Sequence, residues 1–417
     1  MSQPPSPDRL SLLYRLSQTF SSSLDLDEVL RRVMDEVITV TRAERGFLML
    51  RDAGGRLAFR AARGMDQQTI DEAEFQISRG VVESVAQEGQ PRLTNDAQSD
   101  IWLQKRQSVV GLRLRSILCV PLQIKGETIG VIYVDNRLQA GIFTRDDLDL
   151  LTSIAASAAV AIENARLYQV AVDKGRLERE LQVARDVQAS LLPRQIPTLA
   201  GWEFAARWQP AREVAGDFYD FIPGPQGHLG LVIADVTDKG MPAALFMATT
   251  RSIIRASVTN PFQPADNFTQ ANQLICADAS KGMFVTACYA QLTAATGSIT
   301  YVNAGHNPPL ICRAAHGEIV KFARTGLPLG VIPSFKYGQH TVGLLPGDVV
   351  LLYTDGITDA LNAQQEEFGE ARLRRILQDN RQAHAETIAA VVVEAVSAFT
   401  GAGAPFDDIT LVVARRV

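Results

Sequence analysis

Aspartate recurs in this chain where apolar runs end, so that a carboxylate arrives at the edge of a sheet. The four contexts are Asp217 in Gly216-Asp217-Phe218-Tyr219-Asp220, Asp235 in Ala234-Asp235-Val236-Thr237-Asp238-Lys239-Gly240, Asp355 in Tyr353-Thr354-Asp355-Gly356, and the run Asp407-Asp408-Ile409-Thr410. Asp235 and Asp355 close the β-type runs Leu231 to Ala234 and Val349 to Tyr353, and glycine follows each within a few residues. Mg²⁺ and Mn²⁺ take carboxylate, carbonyl and water oxygens in octahedral geometry, and no histidine stands in these contexts, which disfavours zinc. Two such ions about 3.5 to 4 Å apart can share one carboxylate, deprotonate a bridging water and clamp a phosphoryl group during in-line attack. No side-chain nucleophile is then required. Taken singly, each aspartate has an ordinary structural reading as a turn former, loop residue or cap; the four contexts in this order favour the metal reading.

Length and composition bound what could carry such a site. A chain of 417 residues exceeds one ordinary core and predicts two or three domains. Apolar content of 46% and charged content of 21% are those of a soluble globular protein. No apolar run approaches the about 18 residues of a membrane span, and the start lacks a signal pattern, so the cytoplasm is the expected compartment. Cys119, Cys276, Cys288 and Cys312 form no CxxC pair and read as small core hydrophobes. All five histidines lie at His228 or beyond, which leaves the N-terminal half without an imidazole for haem or zinc. A net charge of −5 with no Lys/Arg cluster argues against nucleic acid as a partner.

The elements that must position the carboxylates follow from periodicity. Leu26, Leu30, Val33 and Val37 recur at helical spacing, then strand-like runs appear at Gly46 to Leu50, Leu57 to Ala61, Ser116 to Gln123 and Thr128 to Asp135. Thr144 and Asp147 form a capping-box pattern that opens a helix running, with a weak point at Gly175, to Leu192 and stopped by Pro193. In its second half Leu177, Leu181, Ala184, Gln188 and Leu191 follow heptad spacing, which suits either a helix lying on one domain or a self-pairing seam. After Pro197 many short strands alternate with groups of helices, the pattern of antiparallel sheets covered by helices. The loop Gly224-Pro225-Gln226-Gly227 reads as a hairpin turn, since no Lys-Ser/Thr follows to make a phosphate cradle.

From about Glu180 onward the chain resembles the PPM-class serine/threonine phosphatases, in the bacterial SpoIIE-like, RsbU-type branch. The carrying segments are Glu213 to Asp220, Ile233 to Leu245, Asn303-Ala304-Gly305-His306-Asn307-Pro308-Pro309, Gly326-Leu327-Pro328-Leu329-Gly330, Tyr353 to Thr358 and Asp407 to Thr410. The resemblance implies an αββα sandwich with two Mn²⁺ or Mg²⁺ ions at one edge. Asp217 would bind one ion, Asp235 would bridge both, the Val236 carbonyl would complete the first, and Asp355 and Asp407 would hold the second. Asp238 departs from the pattern, because many members carry glycine there. His306 is expected to be fixed by hydrogen bonds in a strand-ending turn rather than to act as a general acid.

Residues 20–168 resemble a GAF domain, on Arg45-Gly46-Phe47-Leu48, Ser116 to Leu122 and Ile129 to Asp135. The expected organisation is an α+β chain: an extension over 1–19, a GAF α/β sensor over 20–168, a linker helix or coiled coil over 169–195, and a two-sheet phosphatase domain over 196–417. The resemblance implies a homodimer through the GAF and linker helices, an unidentified sensor ligand, and a phosphorylated protein substrate of the STAS-type anti-sigma-factor antagonist class. The alternative is a catalytically silent signal-binding scaffold, and retention of all four aspartates speaks against it.

Overall fold

The computed structural model describes residues 7–66, 68–69, 77–94, 115–137, 140–258, 263–279, 282–401 and 406–417. The Pro/Ser-rich start lies, as far as Ser6, outside the described residues. Two compact units are present, Met1–Arg176 and Leu177–Val417.

The first unit runs α1 (Pro7–Ser21), α2 (Leu26–Thr41), β1 (Arg45–Arg51), β2 (Leu57–Gly64), α3 (Arg79–Glu88), β3 (Arg92–Thr94), β4 (Ser116–Ile124), β5 (Glu127–Asn136) and the start of α4 (Arg145–Leu191). Its strands form one antiparallel sheet in the order β2-β1-β5-β4-β3. Strand alternation divides the side chains between two cores. Leu48, Leu118, Val120, Ile132 and Val134 pack with α1, α2 and α4, while Phe47, Met49, Ile117, Cys119 and Tyr133 pack with α3. Leu16 and Phe20 of α1 are buried in the first of these cores. Arg45 and Asp135 form a buried two-pronged pair between β1 and β5, at 2.9 and 2.6 Å.

Helix α4 opens on the expected capping box. The Asp147 N–H donates to Thr144 Oγ1 at 3.2 Å, and the Thr144 N–H donates to Asp147 Oδ2 at 2.8 Å. It is continuous for 47 residues and passes through Gly175 without a break. Among the described helices α4 is long and apolar enough to cross a membrane, yet 44% of its apolar window is buried within the protein. Leu151, Ile154, Ala158, Ile162 and Ala165 bury that apolar face in the core of the first unit.

The second unit contains the end of α4, then β6 (Trp202–Gln209), β7 (Phe218–Pro223), β8 (His228–Val236), α5 (Met241–Ser257), α6 (Pro264–Asp278), β9 (Val285–Thr293), β10 (Ser298–Ala304), β11 (Leu310–Cys312), β12 (Ile319–Lys321), β13 (His340–Gly343), β14 (Val349–Tyr353), α7 (Asp355–Thr358), α8 (Gly369–Asp379), α9 (Ala385–Thr400) and β15 (Ile409–Arg416). They form two five-stranded antiparallel sheets, β13-β10-β9-β8-β7 and β12-β11-β14-β15-β6. Val350, Leu352, Val412 and Ala414 share a core with β7 to β10 and helices α5 and α6, and the alternate residues Val349, Leu351, Leu411 and Val413 share one with α8 and α9. This is the αββα sandwich expected of the sequence. Strand β13 has no counterpart in the sequence reading, because an exposed edge strand carrying His340 and Thr341 lacks an apolar alternation.

Candidate active site

Pairing register brings the separated carboxylates together. In the β7–β8 hairpin Phe218 faces Ala234, so Asp217 enters the sheet across from Asp235. In the other sheet Tyr353 of β14 faces Leu411 of β15, and the Thr354 N–H donates to the Thr410 carbonyl at 3.0 Å. Asp355 therefore leaves β14 beside the Asp407-Asp408 run that enters β15. Gly356 is required by that approach: a Cβ there would lie 1.9 Å from the Asp408 carbonyl oxygen. A Cβ at Gly216 would likewise lie 3.0 Å from the Val236 carbonyl oxygen, so the loop carrying Asp217 closes directly over it.

The electrostatics follow from crowding. Burial, then the charges of Asp235 and Asp408, raise the Asp217 carboxyl well above the ordinary range, against a hydrogen bond from Thr354 Oγ1 at 2.7 Å. Burial, then Asp355, push Asp235 up to about 7, and its hydrogen bond with Asp217 opposes the rise. Burial, then Asp407, raise Asp355. Among the described residues the carboxylates do not close into one compact ligand cage. They are near enough to disfavour one another's ionised forms, and such repulsion is relieved by cations. An all-oxygen donor set of carboxylates and a backbone carbonyl matches hard divalent ions, so these residues fit Mg²⁺ or Mn²⁺.

Several partners were not legible in the sequence. Asp408, beside the candidate ligand Asp407, is a brace: its two oxygens accept the N–H groups of Ala211 at 2.7 Å and Gly216 at 2.9 Å. Asp407 pairs instead with Lys239 Nζ at 2.9 Å. Lys239 also donates to the Phe406 carbonyl and stands over its ring. Trp208 Nε1 donates to the Asp217 carbonyl at 2.9 Å. Asp238 has φ of 79°, which explains why glycine suits that position.

His306 is 2% exposed and sits apart from the carboxylates' hydrogen bonds. Its N–H donates to Asn303 Oδ1 at 2.8 Å, and its Nδ1 lies 2.8 Å from Thr286 Oγ1. Burial drives its pKa down to about 4, so it is neutral at pH 7 and lacks the imidazolium proton a general acid would give. Gly305, at φ of 72°, lets the turn pack on the Pro328 ring, where a Cβ would come within 2.6 Å. The two motifs Asn303 to Pro309 and Gly326 to Gly330 thus brace each other.

Residues 225–417 match the family described as Stage II sporulation protein E (SpoIIE), and residues 23–163 match the GAF domain family. The chain thus carries a stretch that matches the GAF domain family, followed by a stretch that matches the SpoIIE family. The resemblances carried by the two sets of motifs are thereby borne out, although the SpoIIE match begins after Asp217. Protein IcfG of Synechocystis sp. is 31% identical over 265 residues, 57% of this chain and 41% of IcfG. Phosphoserine phosphatase RsbU of Bacillus subtilis is 25% identical over 240 residues, 58% of this chain and 71% of RsbU. The chain thus spans less than half the length of IcfG. The SiaA-PP2C domain of Pseudomonas aeruginosa shares the fold of the second unit, with a TM-score of 0.53 at 22% identity, over 59% of this chain and 99% of that domain.

Proposed function

We propose that this chain is a GAF-regulated protein phosphatase that hydrolyses phosphoserine or phosphothreonine on a partner protein. Asp217, Asp235, Asp355, Asp407 and the Val236 carbonyl would hold two Mn²⁺ or Mg²⁺ ions, with Asp235 shared between them. The observation that carries the reading is the register that sets Asp217 across from Asp235 and delivers Asp355 and Asp407 to the same end of the paired sheets. When bound, such ions activate water and neutralise charge on a phosphoryl group. The chain's own part is to hold the oxygen donors: Thr354 steadies Asp217, and Asp408 steadies the Ala211 to Gly216 loop. The names of RsbU and of the phosphoserine phosphatase RsbP of Bacillus subtilis support phosphoserine as the substrate group.

In this reading a sensor would span 20–168, a linker 169–195 and a catalytic domain 196–417, acting in the cytoplasm. The partner would be an STAS-type anti-sigma-factor antagonist. Phosphate release from a folded, phosphorylated antagonist and from a short phosphopeptide of the same sequence, each with and without Mn²⁺, tests both points. Activity should require the metal, Asp235→Asn should lower turnover by a factor on the order of 10² or more while the fold is kept, and kcat/KM should favour the folded substrate. Near-normal turnover by Asp235→Asn at saturating Mn²⁺ sinks the metal assignment, whereas no phosphate release by the wild type with Mn²⁺ favours the silent scaffold. A substrate ratio near one points to a general phosphatase.

A further inference from the structure

Gln188 lies in the last turn of α4, at a position where the heptad pattern calls for an apolar residue, and it is 5% exposed. Its side chain is fully engaged with backbone. Nε2 donates to the carbonyls of Ala215 at 2.9 Å and Ala244 at 3.3 Å, and Oε1 accepts the Ala215 N–H at 3.1 Å. Ala215 stands two residues before Asp217. The intervening Gly216 N–H is held by Asp408 from the other side. Ala244 belongs to the first turn of α5, where its N–H donates to the Gly240 carbonyl at 3.0 Å, closing the segment that leaves Asp235 and Val236. One amide therefore joins the end of α4 to the segments that carry three of the candidate ligands.

We propose that Gln188 is a positioning residue: its three hydrogen bonds lock the Asp217 loop and the start of α5 in register, so that divalent-metal affinity depends on this amide. The inference rests on the metal reading above. The geometry selects glutamine for a physical reason. A primary amide offers an acceptor and two donors on one planar group, which matches one N–H and two carbonyls. Glutamate would keep the acceptor but set a carboxylate against two carbonyl oxygens, and methionine would keep the volume while leaving the buried Ala215 N–H and carbonyl unpaired. A rotation of α4 about its axis must move this amide, and with it the spacing between Asp217 and the Val236 carbonyl.

The test is calorimetric titration of the metal-free full chain with Mn²⁺, beside kcat and KM on an aryl phosphate. Gln188→Met and Gln188→Glu should each weaken Mn²⁺ binding by about tenfold or more, the range for partners that orient metal ligands. At saturating metal, kcat should fall with little change in KM. Leu192→Ala supplies the structural control, because Leu192 packs in the core just past the end of α4 and makes none of the Gln188 hydrogen bonds. It should lower the thermal midpoint and leave Mn²⁺ affinity near wild type. Equal loss of Mn²⁺ affinity in Leu192→Ala, or unchanged affinity in both Gln188 variants, overturns the inference. Asp235→Asn separates the two levels: if it binds Mn²⁺ as the wild type does, the metal reading itself has failed. If it does not bind while Gln188→Met does, only the role of Gln188 has.

Discussion

Asp407 and Asp408 are chemically identical neighbours with different tasks, and their surroundings decide which is which. Asp408 spends both oxygens on backbone N–H groups, while Asp407 pairs with Lys239. Asp408 thereby braces the Ala211 to Gly216 loop, while Asp407, which accepts the Asp408 N–H at 2.9 Å and faces Lys239, is the one proposed as the ligand. His306 allows a prediction with a definite sign. Its folded pKa, about 4, lies below the ordinary 6.5, so the folded state binds fewer protons than the unfolded state between these values. Its contribution to stability is fully present above pH 6.5 and is lost as pH falls toward 4. The unfolding free energy of the wild type should therefore fall relative to that of His306→Gln by about 3 kcal/mol between pH 7 and pH 4. Urea unfolding of both proteins at the two pH values measures this, and taking the difference cancels the opposite trend of the raised aspartates. A constant gap would show that the imidazole is not buried and neutral.

At the level of elements, the site is a meeting of strand ends, and its tolerances are those of backbone packing. Helix α7 begins on Asp355 directly after β14, and the Gly356 Cα approaches the start of β15 so closely that a methyl group has no room. Gly356→Ala should displace Asp355 from Asp407, weaken Mn²⁺ binding by about tenfold or more and lower the thermal midpoint. Mn²⁺ titration and calorimetry read these two effects; unchanged values for both would mean that the two chain segments are not packed as described. The strand runs, the capping box at Thr144 and the helix stop at Pro193 were legible, since each is a local pattern of a few residues. Helix α3 and strands β3 and β13 were not, being short and recruited by packing.

At the level of the whole molecule, α4 carries the question of assembly. Val160, Leu167, Val170 and Leu177 repeat at heptad spacing and are 52%, 56%, 58% and 56% exposed. Leu181 and Leu191, from the seam read in sequence, are half-buried instead, and Gln188 is buried. Leu177 is thus the exposed member of the seam read in sequence, and exposed apolar residues of α4 extend from Val160 to Val187. A homodimer paired in parallel through these residues is the arrangement proposed. Light scattering at micromolar concentration should find a dimer, and Leu167→Asp with Leu177→Asp should give a folded monomer with altered activity. A monomeric wild type removes pairing of α4 from the account of regulation.

The identities and order of Asp217, Asp235, Asp355 and Asp407 were present in the sequence because each ends or opens a local apolar run, and the hard-oxygen chemistry follows from residue type alone. The hairpin turn read at Gly224 to Gly227 already implies Asp217 opposite Asp235, but what brings Asp355 beside Asp407, and that pair to the hairpin, is strand pairing and sheet packing across chain separations that no local pattern encodes. The roles of Asp408, Thr354, Lys239 and Gln188 depend on which backbone groups or charges lie within about 3 Å of them, and on burial. Those are properties of the packed sheets and helices, and only the tertiary structure sets them.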